Sequence, residues 1–105
     1  MNWIILFVAG LLEVVWAYSM KRSEGFTVVT PSVVTVVAMV ASGVLLSFAM
    51  RSLPLGTAYT VWTGIGAVGS FVVGLFILGE PASATRIAAA TLIVAGILMM
   101  KLASA

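Results

Sequence analysis

Cysteine and histidine are both absent from the 105 residues. Without cysteine there are no disulfides and no thiolate metal sites, and without histidine the carboxylates are the remaining proton carriers near neutral pH. Charge is scarce too: five Lys/Arg and three Asp/Glu make up 8% of a chain that is 63% hydrophobic. Eight charges cannot keep that much apolar surface in water, and a mean hydropathy of +1.28 makes the bilayer the natural solvent. The net charge of +2 and isoelectric point near 9.5 do not indicate nucleic acid, because single basic residues scattered along an apolar chain form no patch. They read as loop anchors. Nothing in the sequence points to nucleotide hydrolysis, a metal, a cofactor or a covalent intermediate, so the chain does not read as an enzyme.

What is present is a series of long apolar runs. A helix needs about 20 apolar residues to cross the hydrocarbon core, and four such runs occur, at about 3–20, 31–50, 57–78 and 86–102. The predicted fold is an all-α membrane protein with one four-helix transmembrane domain over 1–105. Lys21 to Gly25, Arg51 to Gly56 and Gly79 to Pro81 supply the breaks, and connections this short force neighbouring helices into hairpins. The first run lacks a positive n-region and is followed, not preceded, by Lys21 and Arg22, so it reads as a retained span and not a cleaved signal. Trp3 suits an interfacial anchor.

Four spans place Arg51 and Lys101 on one membrane face and Lys21, Arg22 and Arg86 on the other. A difference of one basic residue gives the positive-inside rule little to act on. Insertion in both orientations is therefore expected. An antiparallel homodimer would then supply the inverted symmetry used by alternating-access transporters. Pairing with an oppositely oriented homologue is an open alternative.

The deepest charge is Glu13, in the stretch "LLEVVWAYSM" at residues 11–20. A charge at membrane depth costs roughly 2.5 to 3.5 kcal/mol on insertion scales and marks function by default. The alternative for Glu13 is a protonated carboxyl that glues helices together. Leu6, Gly10, Glu13, Trp16, Ala17 and Met20 follow helical spacing along one face, with Gly10 and Ala17 leaving room beside the acid. Tyr59, Trp62, Gly66 and Gly69 make a second stripe in the third span, with Thr63 beside it; Tyr59 also suits an interfacial belt. A carboxylate among aromatic faces and apolar walls is a coherent site for an organic cation. Ser42 either orients the acid or ligand, or hydrogen-bonds its own helix. Because desolvation disfavours a bare carboxylate, a proton and a cation would compete for Glu13. That competition is enough to couple inward proton flow to outward cation flow.

The string "GIGAVG" at 64–69 fits a dinucleotide fingerprint but follows no strand and has no acid about twenty residues on. The match is accidental. Gly64, Gly66, Gly69 and Gly74, like Gly10 in the first span, better serve close helix packing and local bending. In the last span Ala88, Thr91 and Ala95, with Gly96 beside them, form a small-residue seam assigned to dimer contact.

Essentially the whole chain resembles the small multidrug resistance transporters. The resemblance rests on four spans, the embedded acid of "GLLEVVWA", Gly25 and Phe26, Pro31 and Ser32, and above all "LPLGTAYTVWTGIGAVG". Trp16, three residues after the acid, is similar to the guanidinium-exporter branch; the quaternary-ammonium branch usually has glycine there. Lys101 fits the same branch. The resemblance implies an antiparallel, dual-topology homodimer in a bacterial inner membrane, exchanging protons for guanidinium ion. It implies that Glu13 of each subunit binds substrate or proton, that Trp16 and Ser42 tune and hydrogen-bond that acid, and that Tyr59 and Trp62 line the cavity. Tyr18, Ser19 and Arg22 depart from the more apolar or neutral residues of many branch members. Tolerance of alkylated guanidines therefore stays open. Two alternatives remain: a broad quaternary-ammonium/proton antiporter on the same scaffold, and a nontransporting subunit of a membrane assembly.

Overall fold

A computed structural model describes residues 2–103 of the protein. Four helices account for nearly all of them: α1 (Asn2–Arg22), α2 (Val29–Ala49), α3 (Leu55–Phe76) and α4 (Ala84–Ala103). Each has 20 to 22 residues and is apolar enough to cross a membrane. At 1.5 Å per residue such a helix is about 30 Å long, the thickness of the hydrocarbon core.

The helix ends follow local chemistry. Lys21 and Arg22 occupy the last turn of α1, where cations complement the helix dipole, and they carry α1 two residues past the expected boundary. Ser23 then closes the turn: its hydroxyl donates to the Met20 carbonyl at 2.6 Å and accepts the Phe26 N–H at 3.1 Å. Glu24, Gly25 and Phe26 follow with φ of 50°, 74° and 67°, three successive left-handed residues that reverse the chain. The two non-glycine residues there are held by Ser23, whose carbonyl accepts from Thr27 and Val28 at 2.8 and 3.0 Å.

α2 begins at Val29, two residues before Pro31. Proline is tolerated there because the first four N–H groups of a helix have no intrahelical acceptor. α3 begins after Pro54 and ends at Phe76, two residues short of the expected boundary. Its last carbonyls are taken up in a wide turn, with Leu78 N–H on Val73 at 3.3 Å and Glu80 N–H on Gly74 at 2.9 Å, and Gly79 left-handed at φ +69°.

α1 with α2 and α3 with α4 pack as the expected hairpins, but α2 and α3 barely touch despite their short connection, because α1 packs against both. The core is small and lies at one end, where Leu6, Leu46, Ala49, Ala58 and Val61 are buried together. Trp3, Met50, Leu53 and Trp62 pack around it. Lys101 of α4 sits over the Trp3 ring, 5.8 Å from its centroid, and ties the end of the last helix to the start of the first. The principal extents are 42 × 35 × 17 Å. With helices about 10 to 12 Å across, 17 Å is less than two full layers. None of the described residues of α4 is buried.

Candidate functional site

α1 and α3 approach along a seam of glycines. A Cβ on Gly10 would stand 2.6 Å from Ile65 Cγ2, one on Gly69 would run into Val14, and one on Gly66 would collide with the Glu13 carboxylate. A Cβ at any of them would force a neighbour to shift: at Gly10 it meets Ile65 Cβ as well as Cγ2, whereas at Gly66 and Gly69 it meets the ends of the Glu13 and Val14 side chains. Gly64 does the same for α4, where Ile97 Cδ1 would be 2.8 Å from an added Cβ. The glycines expected to serve packing are thus distributed over two contacts, and Gly66 is the floor on which Glu13 rests.

Glu13 is partly buried near the middle of α1. Among the described residues, its Oε1 and the Nε1 of Trp16 are the buried side-chain polar atoms without a hydrogen-bond partner. Glu13, like Gly10, faces α3, where Gly10 meets Ile65 and the carboxylate meets Gly66. Buried polar groups are nearly always satisfied, so an orphan acceptor and an orphan donor three residues apart on one helix mark a place where a ligand can supply the missing partners.

Ser42 is fully buried and links three helices. Its hydroxyl donates to the Ala9 carbonyl of α1 at 2.7 Å and accepts from Trp62 Nε1 of α3 at 2.9 Å. Neither the hydrogen bond to Glu13 implied by the family resemblance nor the bond to its own helix is made here, because the single hydroxyl proton is committed to Ala9. No sequence signal could have found Ala9, since its contribution is a backbone carbonyl with a spare lone pair. Trp62 in turn touches Tyr59, with ring centroids 5.5 Å apart at 44°. Tyr59 is 53% exposed, which agrees with its position one turn from the start of α3. Ser42, Tyr59 and Trp62 therefore form one connected group, and Glu13 is joined to α3 separately through Gly66.

The seam residues of α4 do not serve the protomer's own packing. Ala88, Thr91 and Ala95 are exposed, Thr91 donates within its helix to Ile87 at 2.8 Å, and a Cβ on Gly96 would meet nothing within 4 Å.

A short chain of four apolar helices, with one carboxylate held at membrane depth against a glycine floor and aromatic groups nearby, defines a multi-pass membrane protein of the transporter class. Residues 1–93 match the Small Multidrug Resistance protein family, and the chain belongs to that family. It is 61% identical to the guanidinium exporter of Yersinia pestis over 104 residues, which are 99% of this chain and 100% of the relative. It is 57% identical to the guanidinium exporters of Citrobacter freundii and Salmonella typhimurium, over 99% of both chains in each case.

Proposed function

We propose that the protein exports guanidinium ion in exchange for protons, by alternating access, as an antiparallel homodimer in the bacterial inner membrane. The observation that carries this reading is the Glu13 carboxylate on its Gly66 floor, with Oε1 free of any protein donor. Guanidinium is a planar fork of N–H donors that matches a carboxylate bidentately, as the head of arginine does. It would supply the donors that Glu13 lacks. Apolar walls that exclude water would strengthen the pairing.

Proton coupling follows from one carboxylate with two exclusive occupants. If each change of access requires Glu13 to hold either a proton or a guanidinium, a proton gradient drives the cation the other way. Ser42 has a positioning role in this scheme. By tying Ala9, four residues before Glu13, to Trp62, it links the backbone that carries the acid to the aromatic wall. The names of the relatives support the choice of substrate, and so does Trp16, whose bulk leaves less room for a quaternary ammonium, which has no N–H to offer.

The dimer is supported by the shape of the protomer. A slab 17 Å thick, with its last helix unburied and the small residues of that helix unused, has surfaces suited to a second copy. Basic residues balanced to within one between the two faces favour insertion both ways.

The test is reconstitution in liposomes under an imposed proton gradient, with guanidinium, arginine and tetraalkylammonium as substrates. Guanidinium-dependent proton movement is expected; its absence would sink the reading, and equal flux with tetraalkylammonium would favour a broad multidrug antiporter. Trp16→Gly should shift preference toward the bulkier cations. For topology, single cysteines introduced near each end should label from both membrane sides in comparable amounts, and labelling from one side alone would contradict the antiparallel dimer.

A further inference from the structure

The end of the molecule away from the hydrophobic core holds an open crevice of about 350 Å³ between α1, α3 and the turn that joins α3 to α4. Tyr18 and Lys21 of α1, Ser70 and Phe71 of α3, Glu80 of the turn and Arg86 of α4 bring polar or aromatic groups to its walls. Glu13 is not among its lining residues. Arg86 lies over the Phe71 ring, 5.6 Å from the centroid, and its Nη2 is 3.7 Å from Glu80 Oε1. That separation is too long for a hydrogen bond, and both side chains are nearly half exposed, so the pair is weak. The Glu80 carboxylate is folded back over Gly74, to whose carbonyl its own N–H is bonded. At the rim, Arg22 Nη1 donates to the Tyr18 hydroxyl at 3.0 Å and brings a third cation to the same place.

Three cations, two hydroxyls and one carboxylate therefore face or border a single crevice at the ends of the membrane-spanning helices. We infer that this crevice binds the phosphate group of an anionic phospholipid. The charge balance favours an anion. Arg86 offers phosphate a bidentate fork, Lys21 a point charge, and Tyr18 and Ser70 further donors. Basic pockets between helices at the bilayer surface are suited to lipid headgroups. The apolar part of the lining, Val14, Ala17, Ala67, Val73 and Leu78, favours a lipid over free phosphate, since an acyl chain packs against it and an inorganic ion does not. Glu80 competes with the phosphate for Arg86 and so sets the strength of the site. The opposite end differs, because among the described residues Lys101 is the one charged group lining the crevice there, beside Trp3, Ile4, Phe7 and Leu98.

This assignment is independent of the transported ion and is tested without transport. The purified protein is equilibrated with detergent micelles containing equal amounts of phosphatidylglycerol and phosphatidylcholine, and retained lipid is read by native mass spectrometry. The wild type should retain phosphatidylglycerol preferentially. Lys21→Gln and Arg86→Gln should each lower that preference about fivefold, the value of one basic residue at an anionic surface. Glu80→Gln should raise it, a gain that misfolding cannot produce. An Arg51→Gln/Lys101→Gln pair, which removes twice the charge of either single variant from the other end, should retain the wild-type preference. Equal retention of the two lipids by the wild type, or an equal loss in that control pair, would overturn the site. Displacement of the lipid by millimolar inorganic phosphate would overturn the choice of a phospholipid.

Discussion

At one end of the slab, Leu6, Leu46, Ala49, Ala58 and Val61 are sealed among three helices, and of the two cations there, Arg51 and Lys101, the latter rests on an aromatic ring. At the other end, Lys21, Arg22, Glu80 and Arg86 stand around an open crevice joined by a single loose ion pair. Glu13 and the Ser42 node lie between them. The difference separates duties along the length of the same helices: close packing is gathered where no chemistry is proposed, and the charged groups are gathered where packing is thin. Regions with few buried apolar contacts are those that open at low cost. A transporter that must expose its site alternately needs such a region beside a part that holds its shape.

The largest expected effect tests the middle of the slab against its packed end. Glu13→Gln keeps a hydrogen-bonding side chain but removes titration and charge, and it should lower guanidinium-driven proton flux in liposomes by more than about 100-fold, the scale of losing an essential charged group. Thermal unfolding in detergent should change little. A variant that still exchanges at the wild-type rate would break the separation by reducing Glu13 to helix glue. Gly66→Ala comes next. Its new methyl must push the carboxylate aside, and a displacement near 1 Å costs about 100-fold in rate; flux should fall toward that extent with the helices intact by circular dichroism.

Leu6→Ala works on the packed end. It should cost about 2 kcal/mol in detergent unfolding, the low end of the range for a buried leucine, because the chain unfolded in lipid still has apolar surroundings. Exchange per folded molecule should be nearly unchanged; a flux loss matching that of Gly66→Ala would mean that the two regions are not separable. Ser42→Ala should have the smallest effect, about 1 kcal/mol of stability, by leaving Trp62 Nε1 without its acceptor. If Ser42 positions the acid, KM for guanidinium rises while the maximal rate stays close to that of the wild type, and Ser42→Thr, which keeps the hydroxyl, restores it. A merely structural role would lower stability without moving KM.

The helices were legible because each apolar run is long enough to span a bilayer and is ended by charge, glycine or proline. The small offsets have local causes. Pro31 looks like a helix start but fits anywhere in the first turn, and Gly79 looks like a stop although the helix had already loosened at Ile77. Glu13 was legible from cost alone, since nothing else in the sequence is so expensive to bury, and Gly66 and Gly69 from their place on a stripe. What sequence could not give was the partner of each group. The sequence leaves Ser42 to bond the acid, a ligand or its own helix, and the acceptor it uses is none of these but the Ala9 carbonyl, which any residue at position 9 would present. The place of Glu80 was not legible either, because its fold over Gly74 and its neighbour Arg86 depend on how the α3–α4 turn closes. Pairings across helices are set by packing, which leaves only a faint trace in residue types.

The glycine under the carboxylate also bears on how such a protein can change over generations. Any side chain at position 66 moves Glu13, so variation in the floor acts on the acid itself, whereas Trp16 stands on α1 with its ring nitrogen uncommitted. New substrate ranges would therefore arise by substitution on the first helix while the third stays fixed. Within this architecture, α1 is the adaptable partner and α3 the template against which its variants are tried.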